Sequence, residues 1–100
     1  VKSRIRQSLL NGLMKLFYEL QPRRALKRLP EKHRNLVFEA LLEVERNPFQ
    51  GDPKVGNLAG LLTYRFKLLD SLWLIAYEFT GSQSIRIMRI GPRENFYKSL

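Results

Sequence analysis

Residues 63–90, TYRFKLLDSLWLIAYEFTGSQSIRIMRI, decide the fold. Residues 63–68 alternate, with Tyr64, Phe66 and Leu68 on one face of a strand and Thr63, Arg65 and Lys67 on the other. Asp70-Ser71 reads as a tight turn. Residues 72–79, LWLIAYEF, are almost continuously apolar, as in a central strand. A second turn follows at 80–83. Residues 84–90, SIRIMRI, form a third strand whose alternation slips near Met88, the signature of a bulge. Three strands joined by short turns make an antiparallel meander.

Upstream of the meander the period changes to that of helices. Val37, Ala40, Leu41 and Val44 recur at helical spacing, with Phe38 and Leu42 widening the stripe. Glu39 and Glu43 lie opposite, and Glu43 and Arg46 are neighbours on that surface. Asn47-Pro48 ends this helix, and Glu31 opens it after Pro30. A shorter helix precedes it, with Pro22 in its first turn and Ala25, Leu26 and Leu29 as its apolar stripe. Residues 16–20, LFYEL, read as a first strand. Residues 47–62, with two prolines and three glycines, read as a loop, long for a compact domain and suggestive of function. The expected order is β-α-α-β-β-β, an α+β fold. An antiparallel sheet carries the helical hairpin on one face and leaves the other free. Residues 14–100 form the domain. Residues 1–13, where Ile5, Leu9 and Leu10 are helically spaced and Asn11-Gly12 is a stop, read as an extension.

One hundred residues suffice for one domain with its own core. The chain has no cysteine and one histidine, His33, which excludes a disulfide scaffold, a thiolate site and a multi-histidine zinc site. No apolar run reaches the length of a membrane span and no leader is evident, so a cytoplasmic protein without membrane contact is expected. The formal charge is +9, concentrated in residues 1–30. Residues 31–50, rich in glutamate, carry a net −1. Such a basic domain suits a polyanionic partner.

Arg65 and Lys67, two apart on a strand, point to one face, and two adjacent cations repel unless an anion lies between them. Arg86, Arg89, Arg93 and Lys98 follow on the next strand and tail. Arg86 and Arg89, three apart, reach the same face only across a bulge. Tyr97 offers either packing at the chain end or a phenol for base stacking and proton transfer. Trp73 reads as core and His33 as a surface or capping residue. The helix glutamates form no hydrolytic pair, and no nucleotide-binding loop or serine-nucleophile motif is present. A face of cations with a tyrosine can cleave RNA without a metal or other cofactor. The ribose 2′-hydroxyl supplies the nucleophile and the cations stabilise charge on the phosphate.

The chain resembles the RelE/ParE superfamily of toxins from bacterial toxin–antitoxin modules. The resemblance rests on RALKRLP at 24–30, NLAG at 57–60, YRFKLLDSLWLIAYEF at 64–79 and IRIMRIGPRENFY at 85–97. It implies a toxin neutralised by a cognate antitoxin. For RelE-like members it further implies metal-independent cleavage of mRNA in the ribosomal A site. By that resemblance the catalytic residues are Arg65, Lys67, Arg93 and Tyr97. Arg23, Arg24, Lys27, Arg28, Lys54, Arg86, Arg89 and Lys98 are candidates for binding RNA or the ribosome. The chain departs from the RelE pattern at Leu74, where an arginine is usual. A ParE-like gyrase inhibitor and a catalytically degenerate, antitoxin-binding member are therefore the alternative readings.

Overall fold

The computed structural model describes residues 14–100. The reading of residues 1–13 as a helically patterned extension lies outside the described residues. Strand β1 spans Lys15–Tyr18. Helices α1 and α2 span Leu20–Arg28 and Glu31–Arg46. A two-residue strand β2, Asp52–Pro53, lies within the long loop, flanked by single 3-10 turns at Pro48–Gln50 and Gly56–Leu58. Strands β3 (Leu62–Leu68), β4 (Ser71–Gly81) and β5 (Ser84–Pro92) form the meander. A 3-10 turn, Phe96–Ser99, follows. No helix among the described residues is long and apolar enough to cross a membrane.

The sheet order is β1-β5-β4-β3-β2. β2 to β5 pair antiparallel, but β1 pairs with β5 in parallel, so the sheet is mixed rather than wholly antiparallel. The cause is the connection. The helical hairpin carries the chain from β1 over one face of the sheet, and after the short β2 it continues into β3, which runs in the same direction as β1 and β5. A parallel pair needs this kind of long crossover.

The α2 stripe of Val37, Ala40, Leu41 and Val44 is buried against Ile75 and Tyr77 of β4 and Ile85, Ile87 and Ile90 of β5. Tyr64, Phe66 and Trp73 pack half-buried around this core, as their positions on the strands predict. Two polar side chains complete the hairpin's attachment. Arg34 of α2 donates from Nε to Leu26 O (2.9 Å) and from a terminal guanidinium nitrogen to Leu29 O (2.7 Å), satisfying carbonyls that the end of α1 leaves open. Gln21 of α1 bonds both main-chain groups of Ile90.

The second face of the sheet is not wholly free. Leu74 and Ala76 point to it, and the C-terminal segment folds back to cover them with Phe96, assisted by Met88 and Leu100. Leu74 is 3% exposed and Phe96 1%. An apolar strand with two buried faces needs cover on both, and the tail supplies the second.

Candidate functional site

The site is built on this second face. Arg65 and Lys67 of β3 are exposed on it, while their neighbours Tyr64 and Phe66 turn into the core. The strand register aligns Arg65 with Leu74 and then Gly91, and Lys67 with Leu72. The Arg93 N–H donates to Leu72 O at 2.9 Å, which sets the Arg93 backbone in the Lys67 row, two strands away. At about 4.8 Å between strands, that separation is about 10 Å. Beside Arg65 in the neighbouring row, Leu74 and Gly91 present no charge and form the floor under Phe96. A Cβ built at Gly91 would stand 3.9 Å from the Phe96 ring.

The bulge falls where the alternation slips. Ala76 pairs with Arg89 and Tyr77 with Ile87, leaving Met88 unpaired. Because of that extra residue, Arg86 and Arg89 reach the same face, opposite Glu78 and Ala76. Their environments differ. Arg86 is held between Glu19 at 3.2 Å and Glu78 at 3.1 Å, so its charge is neutralised within the fold. Arg89 lies over the Phe96 ring at 5.6 Å, and its buried Nε has no hydrogen-bond partner among the described residues.

The remaining cations come from the long loop, β3 and the C-terminal segment. Lys54, from the loop beyond β2, places its ammonium 5.4 Å from the centre of the Tyr97 ring. Tyr97 packs edge-on against Phe96, with ring centres 5.2 Å apart, and remains partly open to solvent. Arg65 Nε lies 3.5 Å from a carboxylate oxygen of Asp52, with both side chains mostly exposed. Arg93 and Lys98 are exposed.

The loop carrying Asp52 and Lys54 is anchored from inside the core. The Tyr77 hydroxyl donates to Pro48 O at 2.7 Å and accepts from the Gly51 N–H at 3.1 Å. Burial pushes the Tyr77 phenol above the ordinary tyrosine value, against a smaller opposing effect of its bond with Gly51. Gly51 is required here, since a Cβ would collide with that hydroxyl oxygen. The sequence reading missed both residues. The available signal was a tyrosine on the core side of the central strand, which must find a polar partner when buried.

The α1 cations are elsewhere. Arg23, Arg24 and Lys27 rim a groove of about 700 Å³ between β1 and the hairpin, floored by Tyr18, Leu20, Leu26 and Phe38. Arg28 is exposed at the end of α1. Burial, and secondarily the Glu45 carboxylate, push the Tyr18 phenol upward. Leu20, Phe38 and Leu42 are exposed large apolar side chains. The proposed binding residues therefore divide three ways: cations on the open face, Arg86 in an internal ion pair, and the α1 group around a separate apolar groove. His33 belongs to none of these, and Trp73 packs 6.4 Å from Phe66 in the core.

This combination of fold and charge defines a small basic α+β protein. The model for ParE-like toxins of type II bacterial toxin–antitoxin systems matches residues 16–100, and the chain belongs to that family. Solved structures share its fold. The toxin–antitoxin complex RelBE2 of Mycobacterium tuberculosis matches at TM-score 0.68 and 23% identity, over 81% of this chain and 99% of the other. The intact RelBE complex of E. coli matches at TM-score 0.61 and 18% identity, over 78% and 94%. The archaeal RelE–RelB complex of Pyrococcus horikoshii matches at TM-score 0.54 and 24% identity, over 81% and 96%. No curated protein matches the sequence.

Proposed function

We propose that this toxin is a ribosome-dependent mRNA endonuclease, restrained by a cognate antitoxin until released. One observation carries the reading: Arg65, Lys67 and Arg93 share the open face with the partly exposed phenol of Tyr97. Such a donor set suits transesterification of RNA. The 2′-oxygen bonds to phosphorus as its proton leaves to a base. The bond from phosphorus to the 5′-oxygen then breaks, and that oxygen takes up a proton. The products are a 2′,3′-cyclic phosphate and a 5′-hydroxyl. Charge builds on the phosphate oxygens in the transition state, where the Arg65 and Lys67 cations stabilise it, and Tyr97 is the proton-handling group. Arg93 holds the adjoining phosphodiester.

The groove beside α1 suits the antitoxin. Its floor is apolar and its rim is Arg23, Arg24 and Lys27, which fits an amphipathic segment with acidic flanks. Partner segments occur on this fold in the RelBE2, RelBE and RelE–RelB complexes.

The deciding experiment uses purified ribosomes carrying a defined mRNA in the A site, with new RNA ends mapped by primer extension. Cleavage at fixed positions in the A-site codon, lost in Arg65→Ala, supports the reading. A second reading, inhibition of DNA gyrase without nuclease action, is favoured by Leu74. That residue leaves the middle of β4 without a cation and is sealed beneath Phe96. Intact mRNA with DNA-damage signalling in toxin-expressing cells selects gyrase. Intact mRNA without growth inhibition selects a degenerate antitoxin-binding member.

A further inference from the structure

The long loop at 47–62 holds an unusual arrangement for a surface lysine. Lys54 is half-buried, its ammonium faces the Tyr97 ring, and among the described residues it has no carboxylate partner. A lysine side chain on a surface loop ordinarily samples many rotamers. Here the backbone beneath it is fixed three ways. The Lys54 N–H donates to Leu61 O at 2.9 Å, Pro53 pairs with Leu62, and the Tyr77 hydroxyl ties down Pro48 and Gly51. The fold commits a buried hydroxyl of its central strand to holding this loop.

The destination of the ammonium is equally informative. β4 offers this face only Leu72, Leu74 and Ala76 across from β3, so the strand contributes no charge there. From Lys54 the contacts run to Tyr97, from Tyr97 to Phe96, and from Phe96 to Leu74. A cation from outside the meander is thus brought against the one phenol of the site, above the uncharged centre of the sheet. With no carboxylate among the described residues to neutralise it, that charge is available to an anion.

We infer that Lys54 is a phosphate-contacting residue of the reaction. Its ammonium stands against Tyr97 to stabilise the anionic phosphate during cleavage, a role distinct from general attraction of RNA. The assignment rests on the nuclease reading above. It asks Lys54 to remain charged and Tyr97 to handle the proton, so no further co-reactant is needed. A preorganised cation at a phosphate that gains charge contributes about 10²–10³ in rate.

The test is single-turnover cleavage of ribosome-bound mRNA by the full chain, with ribosome affinity measured in parallel. Lys54→Met removes the charge and keeps the aliphatic stem. Lys54→Arg restores a cation. Lys32→Met, on the exposed outer side of α2, matches the charge change away from the site. The expected result is cleavage slowed about 10²–10³-fold in Lys54→Met, ribosome affinity close to that of Lys32→Met, and most of the rate recovered in Lys54→Arg. Wild-type cleavage rates in Lys54→Met overturn the assignment while leaving the nuclease reading standing. A loss in Lys54→Met wholly accounted for by weaker ribosome binding also overturns it. A wild-type protein that cleaves nothing removes the nuclease reading itself, and the assignment with it.

Discussion

The side-chain amide of Gln21 pairs with the main chain of Ile90. Gln21 Nε2 donates to Ile90 O and the Ile90 N–H donates to Gln21 Oε1, each at 2.9 Å. β1 ends at Tyr18, which pairs with Ile87, so beyond that point the edge of β5 facing away from β4 is not paired with β1. The glutamine supplies the donor and acceptor that a continuing β1 would have offered. It does so next to the bulge that orients Arg89 and leads to Arg93. Gln21→Ala leaves two part-buried main-chain groups unsatisfied and is expected to cost about 1–3 kcal/mol. Gln21→Glu sets a carboxylate against a carbonyl and should cost at least as much. Urea unfolding of the two variants measures both.

Tyr77 gives the protein an alkaline limit. Its phenol is pushed above the ordinary value of 10.0 because burial favours the neutral form. The folded state therefore keeps the proton to higher pH than the unfolded chain does. This contribution is fully present below about pH 10 and is lost as pH rises through the folded value. Tyr18 is shifted the same way. Tyr77→Phe should lower stability at neutral pH by about 1–3 kcal/mol, since the Gly51 N–H and Pro48 O lose their partner. It should also reduce the loss of stability above pH 10 without abolishing it, because Tyr18 remains. Denaturant midpoints at neutral pH and above pH 10 read both effects.

Function and stability should separate at the cationic face. Arg65→Ala and Lys67→Ala remove exposed side chains, and the Arg65–Asp52 pair at 3.5 Å is 64% and 54% exposed. An ion pair so solvated is worth at most about 1 kcal/mol. Both variants are expected to fold with stability nearly unchanged and to lose growth inhibition on induction. Retained toxicity in both would remove this face from the mechanism.

Much of this was legible because it is local. The 37, 40, 41, 44 stripe is one helix face, and α2 begins and ends at the residues its flanking prolines mark. The alternation in β3 set Arg65 and Lys67 apart from Tyr64 and Phe66, and the slip near Met88 proved to be the bulge that unites Arg86 with Arg89. What stayed hidden depends on residues distant in sequence. The parallel pairing of β1 is decided by where the hairpin returns the chain. Nothing in the polar tail announces that Phe96 will close over Leu74. Arg86 looks like a free cation until Glu19, 67 positions earlier, is folded against it. The turn after β3 also sits one residue earlier than Asp70-Ser71 suggests, with Leu69 in the left-handed region at φ 58°.

The groove beside α1 allows toxicity and neutralisation to be separated by one substitution. Leu20 and Phe38 are 49% and 43% exposed, which leaves a large part of each apolar side chain open to a partner. An apolar segment seated on them would gain about 25 cal/mol for each Å² it covers, and acidic flanks would meet Arg23, Arg24 and Lys27. Phe38→Asp sets a carboxylate in the floor. It should repel such a segment and leave it unable to bury its apolar face. The variant is expected to remain folded and toxic when expressed alone, because the cationic face lies on the opposite side of the sheet from the hairpin. Co-expressed antitoxin should fail to rescue growth, and titration calorimetry should show affinity lower by at least about tenfold, or 1.4 kcal/mol. Higher salt should weaken the wild-type complex further as the rim cations are screened. Full rescue of Phe38→Asp by the antitoxin would move the docking surface off this groove.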